Sequence, residues 1–232
     1  MMNNDAGADT MRDIADTIFA FKSKNFLSKN AYAETADITN SILESMKSKT
    51  TALLSLSKLR TYDLYTFSHS INVFYLSVTI GSMCGLDQRR LFDLGMSAIL
   101  HDIGKMNIPK RILNKRSKLT DSEFTMIKTH ASEGFSFVKK NISIPEAAFP
   151  GILHHHEKYN GTGYPVGIKG EQIDLFARII SVADVYDAMT SNRPYRKALT
   201  HNEAIGFIRD NSGIHFDPKI ASVFLDSIAA GG

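Results

Sequence analysis

Through the first hundred residues, apolar side chains recur three and four positions apart. Almost nowhere do they alternate with polar ones as in a half-buried strand. Ile14, Ile18 and Phe21 form one such set, Ile38, Ile42 and Met46 a second, and Leu53, Leu56 and Leu59 a third. The first proline is Pro109, so nothing earlier forces a helix to break. Asp9 or Thr10 is the expected cap of the first segment. Residues 33–60 read as one long helix or two, about 42 Å if continuous. Ile71 to Leu86 is an uncharged run of 16 residues, shorter than the roughly 20 that span a bilayer, and it reads as a buried helix.

From Thr61 onward the helices are shorter and their ends are marked. Ser68 to Met83 is an apolar helix stopped at Gly85, and Asp87 caps the next, which runs to about Asp102. Thr120 with Glu123 three positions on is a capping box opening a helix through Lys128. A further helix begins at Ile144-Pro145-Glu146 and reaches His154. Four glycines and Pro165 within residues 157–170 predict a loop. Helices follow at Phe176 to Ala188 and at about Asn202 to Arg209. The expected class is all-α, with the change of pattern at Thr61 dividing a helical lead-in, residues 1–60, from residues 61–232.

Composition narrows the chemistry. The single Cys84 excludes an internal disulfide and any thiolate-rich metal site. A net charge of +3 on 232 residues is too mild to argue for nucleic acid, and the basic run from Lys110 to Lys118 reads as a solvated face. The N-terminus has no basic start and no apolar run, so the expected compartment is the cytoplasm, with no membrane partner.

Six of the eight histidines fall in four places: His69, His101, His130 and the run His154-His155-His156. His201 and His215 stand apart and read as core or surface residues. His101-Asp102 ends an apolar helix and leads into Ile-Gly-Lys. An imidazole and a carboxylate buried together are costly unless paired, and a metal removes that cost, with Asp102 able to bridge two ions. Lys105 follows closely enough to face the same side if the turn persists through Gly104. Asp184 and Asp187, three apart on an apolar helix, share a face, and at least one should be buried and paired. The segment HHHEKYNGTGYP at 154–165 places adjacent imidazoles before a glycine loop.

These elements resemble the HD-GYP family, a branch of the HD phosphohydrolases. The matching stretches are YTFSHSINV (65–73), HDIGKMNIP (101–109), LTDSEFTMIKTH (119–130), ILHHHEKYNGTGYPVGIKG (152–170), ARIISVADVYDAMTSNRPYR (177–196) and FDP (216–218). They span about residues 61–220, and the specificity lies in the combination. The resemblance implies an all-α HD-domain bundle with a metal centre, and hydrolysis of cyclic dinucleotides, chiefly cyclic di-GMP. It implies His69, His101, Asp102, His130, His155, His156 and Asp184 as metal ligands, and Lys105 with Asp102 as catalytic residues. Arg193, Arg196, Tyr164 and Asp187 are the implied substrate-side residues, and the GYP loop is an implied contact for a signalling partner.

Four departures from the family pattern stand out. Tyr65 occupies the position of a glutamate found in members with a third metal. A phenol with a pKa of about 10 is a poor ligand, so two ions are expected. Lys158 and Asn160 replace the more usual Arg and Asp, Asp174 stands where Pro is usual, and His154 is an additional neighbour of the ligand pair. Five histidines and two aspartates without a thiolate suit Fe, Mn, Zn or Co, and the resemblance favours iron or manganese.

The expected reaction is hydrolysis of cyclic di-GMP by a metal-bridged hydroxide, with pGpG as product and GMP as the alternative end point, and with Lys105 neutralising phosphoryl charge. Cyclic GMP-AMP is an alternative substrate. A low-activity cyclic-dinucleotide-binding module is an alternative of another class. The apolar stripe of the N-terminal helices fits either the core or a second copy of the chain, which would make a homodimer.

Overall fold

The computed structural model describes residues 2–22, 36–44, 50–192 and 197–229. Among these residues there is no strand, only one isolated bridge between Ser212 and Phe216. The lead-in contributes α1 (Met2–Lys22), α2 (residues 36–44) and α3 (Thr50–Tyr62). The long helix or pair expected over 33–60 is thus represented by α2 and α3; residues 33–35 and 45–49 lie outside the described residues. Asp9 and Thr10 do not begin α1 but sit inside it, and Thr10 is fully buried. Ile14 and Ile18 of α1, Ile42 and Leu43 of α2 and Leu53, Leu56 and Leu59 of α3 join the main core, so the lead-in packs on the rest of the chain.

Two helices form the axis of that core. The first, α4 (Leu64–Met83), carries the uncharged run and buries 15 of its 20 residues, an all-round apolar helix of the kind only an interior can hold. It starts four residues earlier than its apolar pattern suggested, because the Asp63 carboxylate accepts the Thr66 N–H at 2.9 Å and fixes the N-terminus. Against it lie α5 (Gln88–Leu100), capped by Asp87 as expected, and α10 (Leu175–Thr190). Asp174 has a clear role: its side chain accepts the Phe176 N–H at 2.8 Å and caps α10.

Shorter elements bring the histidines to this axis. After α5 the chain tightens into a 3-10 turn, Ile103–Asn107, followed by α6 (Lys110–Leu113). The Thr120–Glu123 capping box opens α7 (Asp121–Lys128), which buries no residue, and α8 (His130–Asn141) follows at once. The helix expected from Ile144 to His154 is a 3-10 turn at Glu146–Ala148 and then α9 (Phe149–His154). A second capping box, Thr200 with Glu203, opens α11 (His201–Asp210), and α12 (Pro218–Ala229) closes the described chain. No helix among the described residues is long and apolar enough to cross a membrane.

Candidate metal centre

Helix ends supply most of the centre. His101 follows the last residue of α5, His130 stands two residues past α7, and His155 follows α9. The last carbonyls of a helix have no intrahelical partner. Each of these three rings takes one of them. The Nδ1–H of His101 donates to Ala98 O at 2.7 Å, that of His130 to Ile127 O at 2.7 Å, and that of His155 to Ile152 O at 2.8 Å. A carbonyl can only accept, so Nδ1 carries a proton in each ring and Nε2 is the nitrogen turned inward. The negative ends of the α5 and α7 dipoles therefore also face the centre, where they favour a cation.

The middle of the two axial helices supplies the rest. His69 of α4 is 2% exposed and is gripped from both sides by α10. Its Nε2 lies 3.0 Å from Asp184 Oδ1 and its Nδ1 2.6 Å from Asp187 Oδ2. Asp102 has one oxygen, Oδ2, 3.4 Å from His101 Nε2 and 3.7 Å from His69 Nε2, and the other, Oδ1, 3.3 Å from His130 Nε2. Asp184 likewise has Oδ1 on His69 and Oδ2 3.8 Å from His156 Nδ1.

Potential ligand atoms thus collect in two groups, each within 4.8 Å: Asp102, His130, His155 and His156 in one, and His69, His101 and Asp184 in the other. All seven expected ligand positions are brought together. His154 belongs to neither group.

The donor chemistry fits cations. Nε2 of His130 and Nε2 of His155 face each other at 3.2 Å with both Nδ1 protons already committed to carbonyls, so two lone pairs oppose. Nε2 of His101 and Oδ1 of Asp102 are buried without a hydrogen-bond partner. Unsatisfied buried polar atoms are expensive, and a shared cation satisfies them together. Titration follows the same logic. Burial dominates at His130, His155 and His156, holding His130 down to about 4, His156 down to about 3 and His155 well below the usual imidazole range. These rings are neutral, as ligands must be. Burial resists ionisation of Asp102 and Asp184, yet Lys105 and His101 at the former, and His69 at the latter, hold both well below the usual carboxylate range. At His69 burial is again the largest effect, but the bonds to Asp184 and Asp187 outweigh it and raise the ring to about 9.

Lys105 reaches the centre by a different turn from the α-helical one considered in the sequence. In the 3-10 turn, positions three apart eclipse, and Lys105 Nζ lies 2.5 Å from Asp102 Oδ2. Its side chain is 18% exposed against 1% for Asp102, so it stands on the open side of the centre. Gly104 makes this turn possible. A Cβ there would lie 2.1 Å from His130 O and 2.5 Å from Gly134 N, so only glycine lets the turn press against α8.

The loop after His156 is built around Glu157, a residue the sequence reading passed over. Its carboxylate is 2% exposed and accepts the N–H groups of Val166 at 2.7 Å and Gly167 at 3.0 Å. Gly163 crosses so close that a Cβ would lie 2.4 Å from Glu157 Cα. Asn160 keeps a turn in place by accepting Thr162 N–H at 3.0 Å. The loop lays the Tyr164 ring 4.8 Å from the His156 ring, and burial pushes the phenol pKa up, with Asp184 and Asp102 adding to it, so the hydroxyl stays protonated. Tyr65 stacks on His69 with ring centres 5.8 Å apart.

Asp187, the implied substrate-side residue on α10, lines a cavity beside His69 but has its oxygens committed within the protein. It is 1% exposed, and both its oxygens are taken, by His69 and by Asn72 Nδ2 at 2.8 Å and Ser191 Oγ at 3.1 Å. Arg193 and Arg196 lie outside the described residues. Asn72, Ser191 and the three carbonyls were not singled out in the sequence, because their roles depend on which ring each meets.

Residues 36–220 match the HD domain family. A cyclic di-GMP phosphodiesterase of Pseudomonas aeruginosa is 40% identical over 196 residues, covering 84% of this chain and 47% of that protein. A 3'3'-cGAMP-specific phosphodiesterase of Vibrio cholerae is 34% identical over 158 residues, covering 68% of this chain and 36% of that protein. The chain therefore spans half or less of the length of these relatives. The HD domain of the Listeria monocytogenes phosphodiesterase PgpH, solved with cyclic-di-AMP, superposes with a TM-score of 0.56 at 19% identity, covering 76% of this chain and 93% of that one, a likeness of fold. With the HDIGK and GYP segments meeting at one centre, the chain belongs to the HD domain family, in its HD-GYP branch.

Proposed function

We propose that this chain is a metal-dependent phosphodiesterase that hydrolyses cyclic di-GMP to pGpG, using two divalent ions, iron or manganese. The observation that carries the reading is the pair of carboxylates, Asp102 and Asp184, each directing one oxygen to one ligand group and one to the other. His69, His101 and Asp184 would hold one ion and His130, His155 and His156 the other, with Asp102 within reach of both groups. Bound divalent ions supply Lewis acidity at a phosphoryl oxygen and lower the pKa of a water from 15.7 towards about 7. In the reaction the water oxygen bonds to phosphorus, the P–O3′ bond breaks and the 3′ oxygen takes a proton. Lys105, an ammonium on the open side, neutralises charge that develops on the phosphoryl oxygens. Tyr164, kept as a neutral phenol, walls the same side. Arg193 and Arg196 offer forked donors to phosphate or guanine. Residues 61–232 act as the catalytic unit and 1–60 as its lead-in.

The test is turnover of cyclic di-GMP after anaerobic metal loading, with elemental analysis of the bound metal. His101→Ala and Asp102→Ala should fall below detection while circular dichroism stays helical. Full metal-dependent activity in either variant overturns the mechanism. The similarity to a cGAMP-specific relative supports a second reading, cyclic GMP-AMP as substrate. Side-by-side turnover of the two dinucleotides separates them. Two partner surfaces complete the proposal: the GYP loop for a signalling protein, and the N-terminal helices, where Phe19 is 77% exposed, for a homodimer that light scattering tests.

A further inference from the structure

His69 differs from the other ligand rings in how it is held. His101, His130 and His155 each donate Nδ1–H to a backbone carbonyl three residues upstream. His69 lies inside α4, where the upstream carbonyls belong to the helix ladder. Its Nδ1 turns instead to the Asp187 carboxylate, at 2.6 Å. That carboxylate is itself fixed. Asn72 Nδ2, one turn along α4 from His69, donates to Oδ1 at 2.8 Å, and Ser191 Oγ, at the end of α10, donates to the same oxygen at 3.1 Å. The three side chains engage both Asp187 oxygens.

We propose that Asp187 is a positioning residue. It locks Nδ1 of His69 in the protonated state and turns Nε2 towards Asp184 and Asp102, so that the position formed by His69, His101 and Asp184 depends on it. The position formed by His130, His155 and His156 does not. The two positions are therefore unequal: a side-chain network that mutation can remove sustains one, and backbone carbonyls that no substitution deletes orient His130 and His155 of the other. A carboxylate partner also makes His69 a more basic donor than a carbonyl-held ring. The inference rests on the two-ion reading above.

The test is Mn(II) titration of the full chain, read by electron paramagnetic resonance and elemental analysis, for the wild type and Asp187→Asn. The wild type should take up two Mn(II) per chain. Asp187→Asn should keep one at unchanged affinity and bind the second about 10- to 100-fold more weakly, the usual penalty for losing a partner of a ligating histidine. A general loss of structure would weaken both equally, so selective loss is the signature of positioning. Two ions at wild-type affinities in Asp187→Asn, or both lost together, overturn the inference while leaving the two-ion reading intact. A wild type that takes up a single Mn(II) overturns the two-ion reading and the asymmetry with it. Should Asp187→Asn fail to fold, Ser191→Ala removes one of the three bonds and should weaken one of the two affinities several-fold. Two unchanged affinities there overturn the inference as well.

Discussion

His69 and Asp184 project from the interior of α4 and α10, whereas His101, Asp102, His130, His155 and His156 lie at or just past helix ends. The two settings solve the same problem differently. A buried imidazole must have its second nitrogen satisfied if the first is to face a cation. At a helix end the backbone does this, because its last carbonyls lie outside the regular i→i+4 ladder and can accept a ring N–H. Inside a helix those carbonyls are already paired, so side chains from a neighbouring helix must do it, which is why Asp187 and Asn72 stand behind His69. Helix-end ligands therefore need little more than a chain that stops at the right residue. Interior ligands need two helices in register.

The contrast can be broken at several points, beginning with the largest effect. Lys105 stands on the helix-end side and contacts Asp102 alone among the ligands through a hydrogen bond. Lys105→Ala should lower kcat by about 10²- to 10³-fold with metal content unchanged, the scale expected for one electrostatic stabiliser. A loss of metal in parallel would mean that Lys105 supports the ligands and not the phosphoryl group. Gly104→Ala comes next. The added Cβ must displace His130 O from 2.1 Å, so the helix-end arrangement should be strained by about 1–3 kcal/mol, read as a lower denaturation midpoint together with weaker metal uptake. An unchanged midpoint would show that α8 yields freely.

The pH dependence of the chelated protein separates the two settings again. His130 and His156 have folded pKa values near 4 and 3, below the ordinary 6.5, so the unfolded chain binds more protons between those values. The melting temperature should fall as pH drops from about 6.5 towards 4. His69 has the opposite sign. Its folded value near 9 lies above 6.5, so its contribution is full below 6.5 and is lost as pH rises through about 9. Thermal melts from pH 4 to 10 check both limbs, and a flat acid limb would refute neutral, buried rings at the helix ends. The smallest effect belongs to the cap of α10. Asp174→Ala removes the bond to Phe176 N–H and should destabilise by about 1 kcal/mol without changing metal affinity, measured by urea unfolding.

Much of this was legible in the sequence. Helical spacing gave the all-α class, Asp87 and Thr120 marked two helix starts, and the clustered histidines with Asp102, Lys105 and Asp184 marked the centre. What was misread is local and has physical causes. The start of α4 lay beyond its apolar pattern, because capping by Asp63 and not hydrophobicity ends a helix. The second capping box, at Thr200, carries a signal as plain as the first and was overlooked. The resemblance puts Asp187 on the substrate side and the spacing puts it on the same face as Asp184, but neither says which neighbour each carboxylate meets.

The sequence by itself determined the helical periods and several of the caps, since these depend on residues within a turn or two of one another, and through the family resemblance it supplied the implied ligand set. It also determined that the centre holds nitrogen and oxygen ligands, because Cys84 is the sole thiol. Only the tertiary structure decided how the donors are shared: that Asp102 and Asp184 each span two groups, that three rings lean on carbonyls, and that His69 leans on Asp187. Those partners lie 115 and 118 residues from His69. Hydrogen-bond geometry over such separations is fixed by how α4 and α10 pack, and no local pattern encodes it.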